Sequence, residues 1–214
     1  MQKYTKHPRT WHVPQSPGAT NDDKRLKSLD QFKNKQVVVT KKMDGECTKM
    51  YNDHIHARSI DSKNHPSRNW VKGLHAAISN MMPEELEITG ENLYAQHSVA
   101  YTDLPSYFLV FQMVKEGIVI PWEGTEYICK LLGLSTVPVL YQGIYYDGLI
   151  DEYVDQLDLT KDEGVVIRLA DSFLVSEFSN SVAKWVRPGH VQTDEHWMQK
   201  EIVKNQLKAI DADQ

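Results

Sequence analysis

The chain has 214 residues, 41% of them apolar and 25% charged, the balance of a folded water-soluble protein and not of a disordered or fibrous one. No apolar run is long enough to span a bilayer, and Met1-Gln2-Lys3-Tyr4 lacks the apolar stretch of a secretory signal, so a cytoplasmic protein with no membrane segment is expected. The formal net charge of −5 excludes a basic surface overall, but Lys24, Arg25 and Lys27, then Lys33, Lys35, Lys41 and Lys42, gather locally.

In chain order, residues 1–35 are rich in Pro, His and charge and read as an irregular arm packed on the body. The β-branched run Val37-Val38-Val39-Thr40 predicts a strand, with further strands over Cys47–Tyr51 and His54–Ser59. Trp70, Leu74, Ala77, Ile78 and Met81 recur at helical spacing, and Pro83 stops that helix. A short apolar segment, Leu86–Ile88, precedes two strands, Tyr107–Val114 and Ile118–Ile120, paired across Lys115-Glu116-Gly117. A helix over Glu123–Leu132 closes at Gly133. Strands follow at Val137–Tyr141, Gly164–Leu169, Phe173–Glu177 and Val182–Val186, and the tail from Asp194 to Ala209 reads as an amphipathic helix. Many strands with a few inserted helices indicate an α+β domain with antiparallel sheets. Cys47 and Cys129 lie in separate elements without metal-ligand spacing and read as reduced thiols.

No Gly-rich phosphate loop occurs, so nucleotide chemistry would have to be held by side chains on strands. Lys42-Met43-Asp44-Gly45 ends a strong strand just before another. Alone it is a weak signal, because Asp-Gly between strands is also a hairpin turn. Arg58 ends the third strand, and Glu91 stands in Thr89-Gly90-Glu91-Asn92-Leu93-Tyr94-Ala95. In Tyr107-Phe108-Leu109-Val110-Phe111, alternation sets Tyr107, Leu109 and Phe111 on one face and Phe108 and Val110 on the other. Glu163 opens Glu163-Gly164-Val165-Val166-Ile167-Arg168, and Lys184 and Arg187 bracket Ala183-Lys184-Trp185-Val186-Arg187.

These segments, in this order from about Lys42 to Trp197, resemble the motifs of the RNA ligase family, within a superfamily that includes DNA ligases and mRNA-capping guanylyltransferases. The arm around Arg9-Thr10-Trp11-His12 is similar to the N-terminal stretch of small phage and bacterial RNA ligases. The resemblance implies a nucleotidyltransferase (adenylation) domain over residues 36–193, ATP-grasp-like in fold, with flanking helices. It implies Lys42 as the nucleophile that forms lysyl-AMP from ATP, Arg58 and Glu91 at the ribose, and Phe111 stacked on the adenine. Glu163 would engage Mg²⁺ or Mn²⁺, Lys184 the α-phosphate, and Asp44 would position the nucleophile and ribose. AMP would then pass to a 5′-phosphate end, which a 3′-hydroxyl attacks to seal the strand. The implied partner is a nucleic acid, RNA first, and the expected state is a monomer.

Such chemistry needs help at Lys42. At the usual lysine pKa near 10.4, only about one amine in 2,500 is neutral at pH 7. Mg²⁺ and Lys184 would both favour the neutral form.

The sequence also departs from the family pattern. Lys41 stands where phage-type enzymes commonly carry glutamate near the purine, which leaves GTP as an alternative to ATP. Alternation points Lys41 away from Lys42. Gln112 replaces a common aspartate, and Val186 replaces a second lysine, leaving Arg187 as its substitute. The stretch after Arg187 is too short for the OB-fold domain of DNA ligases and capping enzymes, so none is expected. A DNA-strand ligase, a stand-alone 5′-end adenylyltransferase and a non-catalytic end-binding module are the competing readings. Histidines such as His54, His56, His190 and His196, and the tryptophans, are read as structural.

Overall fold

In the computed structural model, which describes residues 3–189 and 201–209, the elements in chain order are β1 (Trp11–His12), β2 (Gln36–Lys42), β3 (Glu46–Met50), β4 (Ile55–Ala57), α1 (Asn69–Ile78), β5 (Leu86–Asn92), β6 (Phe108–Lys115), β7 (Ile118–Val119), α2 (Trp122–Leu132), β8 (Ser135–Thr136), β9 (Val139–Ile144), α3 (Leu149–Asp155), β10 (Gly164–Leu169), β11 (Phe173–Leu174), α4 (Phe178–Ser181) and β12 (Val182–Val186). Two sheets organise them. One runs β1-β12-β10-β2-β9, the other β11-β7-β6-β5-β3-β4 with β8 beside β6. Among the described residues, apart from the parallel pairs β1–β12 and β6–β8, these strands pair antiparallel. No helix among the described residues is long and apolar enough to cross a membrane.

The valine run of β2 is apolar throughout because both faces of its sheet are covered. Val37 and Val39 pack with Val165, Ile167, Ala183 and Trp185 under Leu149 and Ile150 of α3. Val38 points the other way, into a core shared with Leu109, Trp122 and Val137. A third core lies on the far face of the second sheet, where Val71 and Ile78 of α1 and Cys129 of α2 meet Ile88, Phe108 and Val110. The predicted faces of β6 therefore hold for Leu109 and Val110.

Several sequence expectations need correction. Asp44-Gly45 is not a hairpin turn: β2 and β3 belong to different sheets, so the dipeptide is a crossover between them. Gly45 is needed there for closeness, since a Cβ would lie 2.6 Å from the Asn92 carbonyl oxygen. The strand expected over Phe173–Glu177 stops at Leu174 and becomes a 3-10 turn leading into α4. The strand expected over Val137–Tyr141 starts later, at Val139, and runs on to Ile144 as β9, with the short β8 before it. α3 was not foreseen. Residues 194–200 of the expected C-terminal helix lie outside the described residues, while 201–209 are not helical and make isolated bridges at Lys204 and Leu207. Their backbone is spent on the loop after β5: Gln96 N donates to Val203 O (2.8 Å) and Gln206 N to Tyr101 O (2.9 Å). Buried Asn205 fixes this segment, donating from Nδ2 to Leu93 O and accepting at Oδ1 from Tyr101 N, both at 2.8 Å.

Candidate active site

Period-two geometry on three neighbouring strands builds one wall of a cleft of about 610 Å³. In the β10–β2 and β10–β12 registers Gly164 faces Lys42, and Val166 stands between Thr40 and Lys184. Thr40, Lys42, Val166, Arg168, Val182 and Lys184 all line the cleft, while the alternate residues of the same strands fill the core described above. The second sheet supplies the opposite wall, including Cys47, Ala57, Glu91 and Phe111.

Lys42 Nζ donates to Glu163 Oε1 at 2.5 Å, and Glu163 is only 1% exposed. Burial alone would lower the Lys42 pKa, but the charges of Glu163, Glu91 and Asp44 outweigh it and raise it. The amine is thus held as an ammonium. Lys184 behaves otherwise: burial first, then the Lys42 charge, lower it to about 8. Glu91 accepts from Gly45 N at 3.2 Å, and burial pushes its carboxyl up to about 8 against the pull of Lys42.

This raised value gives a pH dependence with a definite sign. The folded Glu91 holds its proton above the 4.5 of an ordinary glutamate, so its contribution to stability is complete below 4.5 and is lost as pH rises through about 8. Denaturant titrations from pH 5 to 9 should show a fall in stability that Glu91→Gln removes. An equal fall in the variant would assign it to another group.

Asp44 does not line the cleft. Its Oδ2 accepts from Ser98 N (2.8 Å), Ser98 Oγ (2.6 Å) and Val99 N (2.8 Å), and Asp44 N donates to Tyr101 Oη (2.9 Å). The residue ties the crossover to the 98–101 loop. Asp44→Ala strands three donors and is expected to cost roughly 3 kcal/mol of stability, read by denaturant unfolding. An unchanged midpoint would show that the loop does not depend on it.

Arg58 is exposed at the rim of the cleft. Phe111 reaches the cleft through a β-bulge: Thr89 pairs with Gln112 and Gly90 with Val110, so Phe111 is the extra residue. Arg187 does not line the cleft; its N donates to Glu163 O (3.0 Å) and its Nη2 reaches Ser98 Oγ at 3.5 Å. The expected second phosphate contact is therefore not brought to the site. Lys41 pairs with Asp162 at 2.7 Å, so consecutive lysines meet consecutive carboxylates. Lys41 nonetheless lines the cleft rather than leaving it.

Three cleft residues escaped the sequence reading. Arg168 is buried, donates to the Phe111 carbonyl at 2.8 Å and lies over the rings of Trp122 and Phe173. Arg68 is paired with Glu46, Nε to Oε2 at 2.7 Å. His7 of the arm packs against Phe111. For Arg168, the only signal was its even number on a strand whose even residues face the cleft.

A family model described as RNA ligase matches residues 35–186. Among solved structures, an archaeal ATP-dependent RNA ligase is similar at 15% identity and TM-score 0.60, over 86% of this chain and 48% of that one. Naegleria gruberi RNA ligase solved with pyrophosphate is similar at 16% identity and TM-score 0.58, over 87% and 57%. A mutant of the same enzyme with ATP and Mn matches at 14% identity and TM-score 0.56, over 87% and 57%. The chain thus spans about half the length of the structures it matches. A comparison with curated proteins finds no match. These likenesses agree with the α+β nucleotidyltransferase fold built from the two sheets, and the family match spans every strand from β2 to β12: the chain belongs to the RNA ligase family.

Proposed function

We propose that the protein is an ATP-dependent RNA ligase in which Lys42 takes AMP from ATP, passes it to a 5′-phosphate end and releases it when a 3′-hydroxyl seals the strand. The observation that carries this reading is the placement of Lys42 at 2.5 Å from Glu163, with Lys184 on the same cleft wall and Phe111 on the other. Residues 36–193 would form the adenylation domain, with residues 1–35 as an arm packed on it.

In the first step the Lys42 amine attacks the α-phosphorus. A P–N bond forms, the bond to the bridging oxygen breaks, and pyrophosphate leaves. The ammonium that Glu163 Oε1 holds must first lose its proton. Lys184 offsets charge on the α-phosphate oxygens and is cationic at pH 7 with its pKa near 8. Arg58 and Glu91 would hold the ribose hydroxyls, and Phe111 the base.

The cleft suits a divalent cation by the chemistry of its donors. Glu163 is a hard oxygen donor, and because no group of three His, Cys, Asp or Glu side chains gathers among the described residues, the protein would supply few of the ion's ligands. Glu163 would hold Mg²⁺ or Mn²⁺. A bound ion would supply positive charge that favours the neutral amine of Lys42. One relative was solved with ATP and Mn.

Incubation with Mg²⁺ and ATP or GTP labelled on the α-phosphate should give an acid-labile covalent label, stronger from ATP. Absence of label from either nucleotide would sink the reading. Sealing assays on RNA, DNA and mixed nicks then assign the acceptor, because 2′-hydroxyl recognition is set by groove contacts.

A further inference from the structure

Strand β6 breaks its own alternation once, inside the cleft. Leu109 faces the core between the two sheets, and Val110 faces the core under α1 and α2. On the strict period of a strand, Phe111 would share the side of Leu109 and Gln112 that of Val110. The bulge at Phe111 shifts the count: Met113 returns to the core under the helices, and Val114 to the space between the sheets beside Phe178 and Val182. Phe111 and Gln112 therefore project from the same side of β6, and both line the cleft. The carbonyl of the extra residue has its own donor, since buried Arg168 reaches Phe111 O at 2.8 Å. The bulge is thus held in place by the opposite sheet.

Its polar product is Gln112. The residue is only 3% exposed, yet its amide has no hydrogen-bond partner among the described residues, and neither amide atom is sealed from solvent. The Thr89 hydroxyl across the ladder, by contrast, is fully enclosed. The opening left to the amide is the cleft. Its place along the wall suits a nucleobase. Arg168, which holds the bulge, stands four residues along β10 from Gly164, the partner of Lys42. At ~3.3 Å per residue that is about 13 Å, on the scale of an extended nucleoside monophosphate. Phe111, Val137, Val166 and Phe178 make this part of the lining apolar, and among them the Gln112 amide offers one donor and one acceptor side by side.

We infer that Gln112 reads the nucleobase: Oε1 accepts from the 6-amino group of adenine and Nε2 donates to the ring nitrogen beside it, while the Phe111 ring covers the face of the base. This rests on the nucleotidyltransferase reading and adds a specificity residue to it. The donor and acceptor of the amide match the amine and ring nitrogen of adenine as a pair. Lys41 has only donors to offer and is already paired with Asp162, so it cannot accept from an amine.

The test measures two nucleotides by calorimetry in a Lys42→Ala background, where no covalent step intervenes. One is ATP; the other is purine riboside triphosphate, the same molecule without the 6-amino group. Gln112 is kept, or changed as Gln112→Ala and Gln112→Leu, the second preserving bulk in the apolar wall. With Gln112 in place ATP should bind roughly tenfold more tightly than the analogue, the scale of one or two net hydrogen bonds. Both variants should erase that preference, chiefly by weakening ATP. A parent that binds the analogue as tightly as ATP would overturn the proposal. So would variants that keep the preference, even if both affinities fall together, since the amide would then support the wall without reading the base. Failure of both variants to fold, seen by thermal unfolding without nucleotide, would assign the amide to the fold and overturn it as well. If the parent binds neither nucleotide, the nucleotidyltransferase reading itself falls, and this inference with it.

Discussion

Lys42→Arg is expected to abolish covalent labelling by α-labelled ATP, by at least on the order of 10³-fold, while the protein stays folded. Arginine keeps the positive charge that Glu163 meets in the buried cleft, so the ion pair and its surroundings persist. It cannot supply a neutral nitrogen near neutral pH, so it cannot attack phosphorus. Lys42→Ala removes both functions and should lose labelling equally. It also removes the charge that depresses Lys184, whose pKa should then move up from about 8. Labelling that survives in the arginine variant would show that Lys42 serves only as a counter-ion.

Gly164→Ala is expected to be the most damaging small substitution for stability, at about 3 kcal/mol. A Cβ there would stand 2.0 Å from the Trp185 carbonyl oxygen and 3.1 Å from Val186 Cα. Both contacts are backbone, so no side-chain rotation can relieve them. The strand must instead part from β12, where Gly164 is paired with Val186. Because Gly164 is also paired with Lys42 of β2, the same movement shifts Glu163 against Lys42. A denaturation midpoint equal to that of the parent would show that the neighbouring strand yields without cost.

The parts of this fold that were legible in the sequence are those where local pattern and long-range packing agree. The run Val37-Val38-Val39 is strand by propensity and buried by position, and Gly133 ends α2 in the left-handed conformation expected of it. The turn at Glu116 and Gly117, with φ of 51° and 78°, joins β6 to β7 as anticipated. What stayed hidden depends on partners remote in sequence. α3 has seven residues and buries only Leu149 and Ile150, too little to show a period. Residues 201–209 carry a helical polarity pattern, yet their backbone groups find partners in the loop after β5. Arg187 carries the right charge at the right spacing, but its backbone caps Glu163 and its side chain turns to Ser98. His7 had no signal at all, since its neighbours Phe111 and Phe178 come from other elements.

Lys42 and Glu163 meet only because β2 and β10 are adjacent, though 121 positions separate them. During synthesis the amine therefore leaves the ribosome long before Glu163, and Lys184 follows later still. A nascent chain that ends in α3 carries Lys42 with Asp44 and Glu91 but without Glu163 and Lys184. On the proposed mechanism, competence would arrive only when β10 and β12 close the sheet, so translation would delay the chemistry until the cleft around it exists.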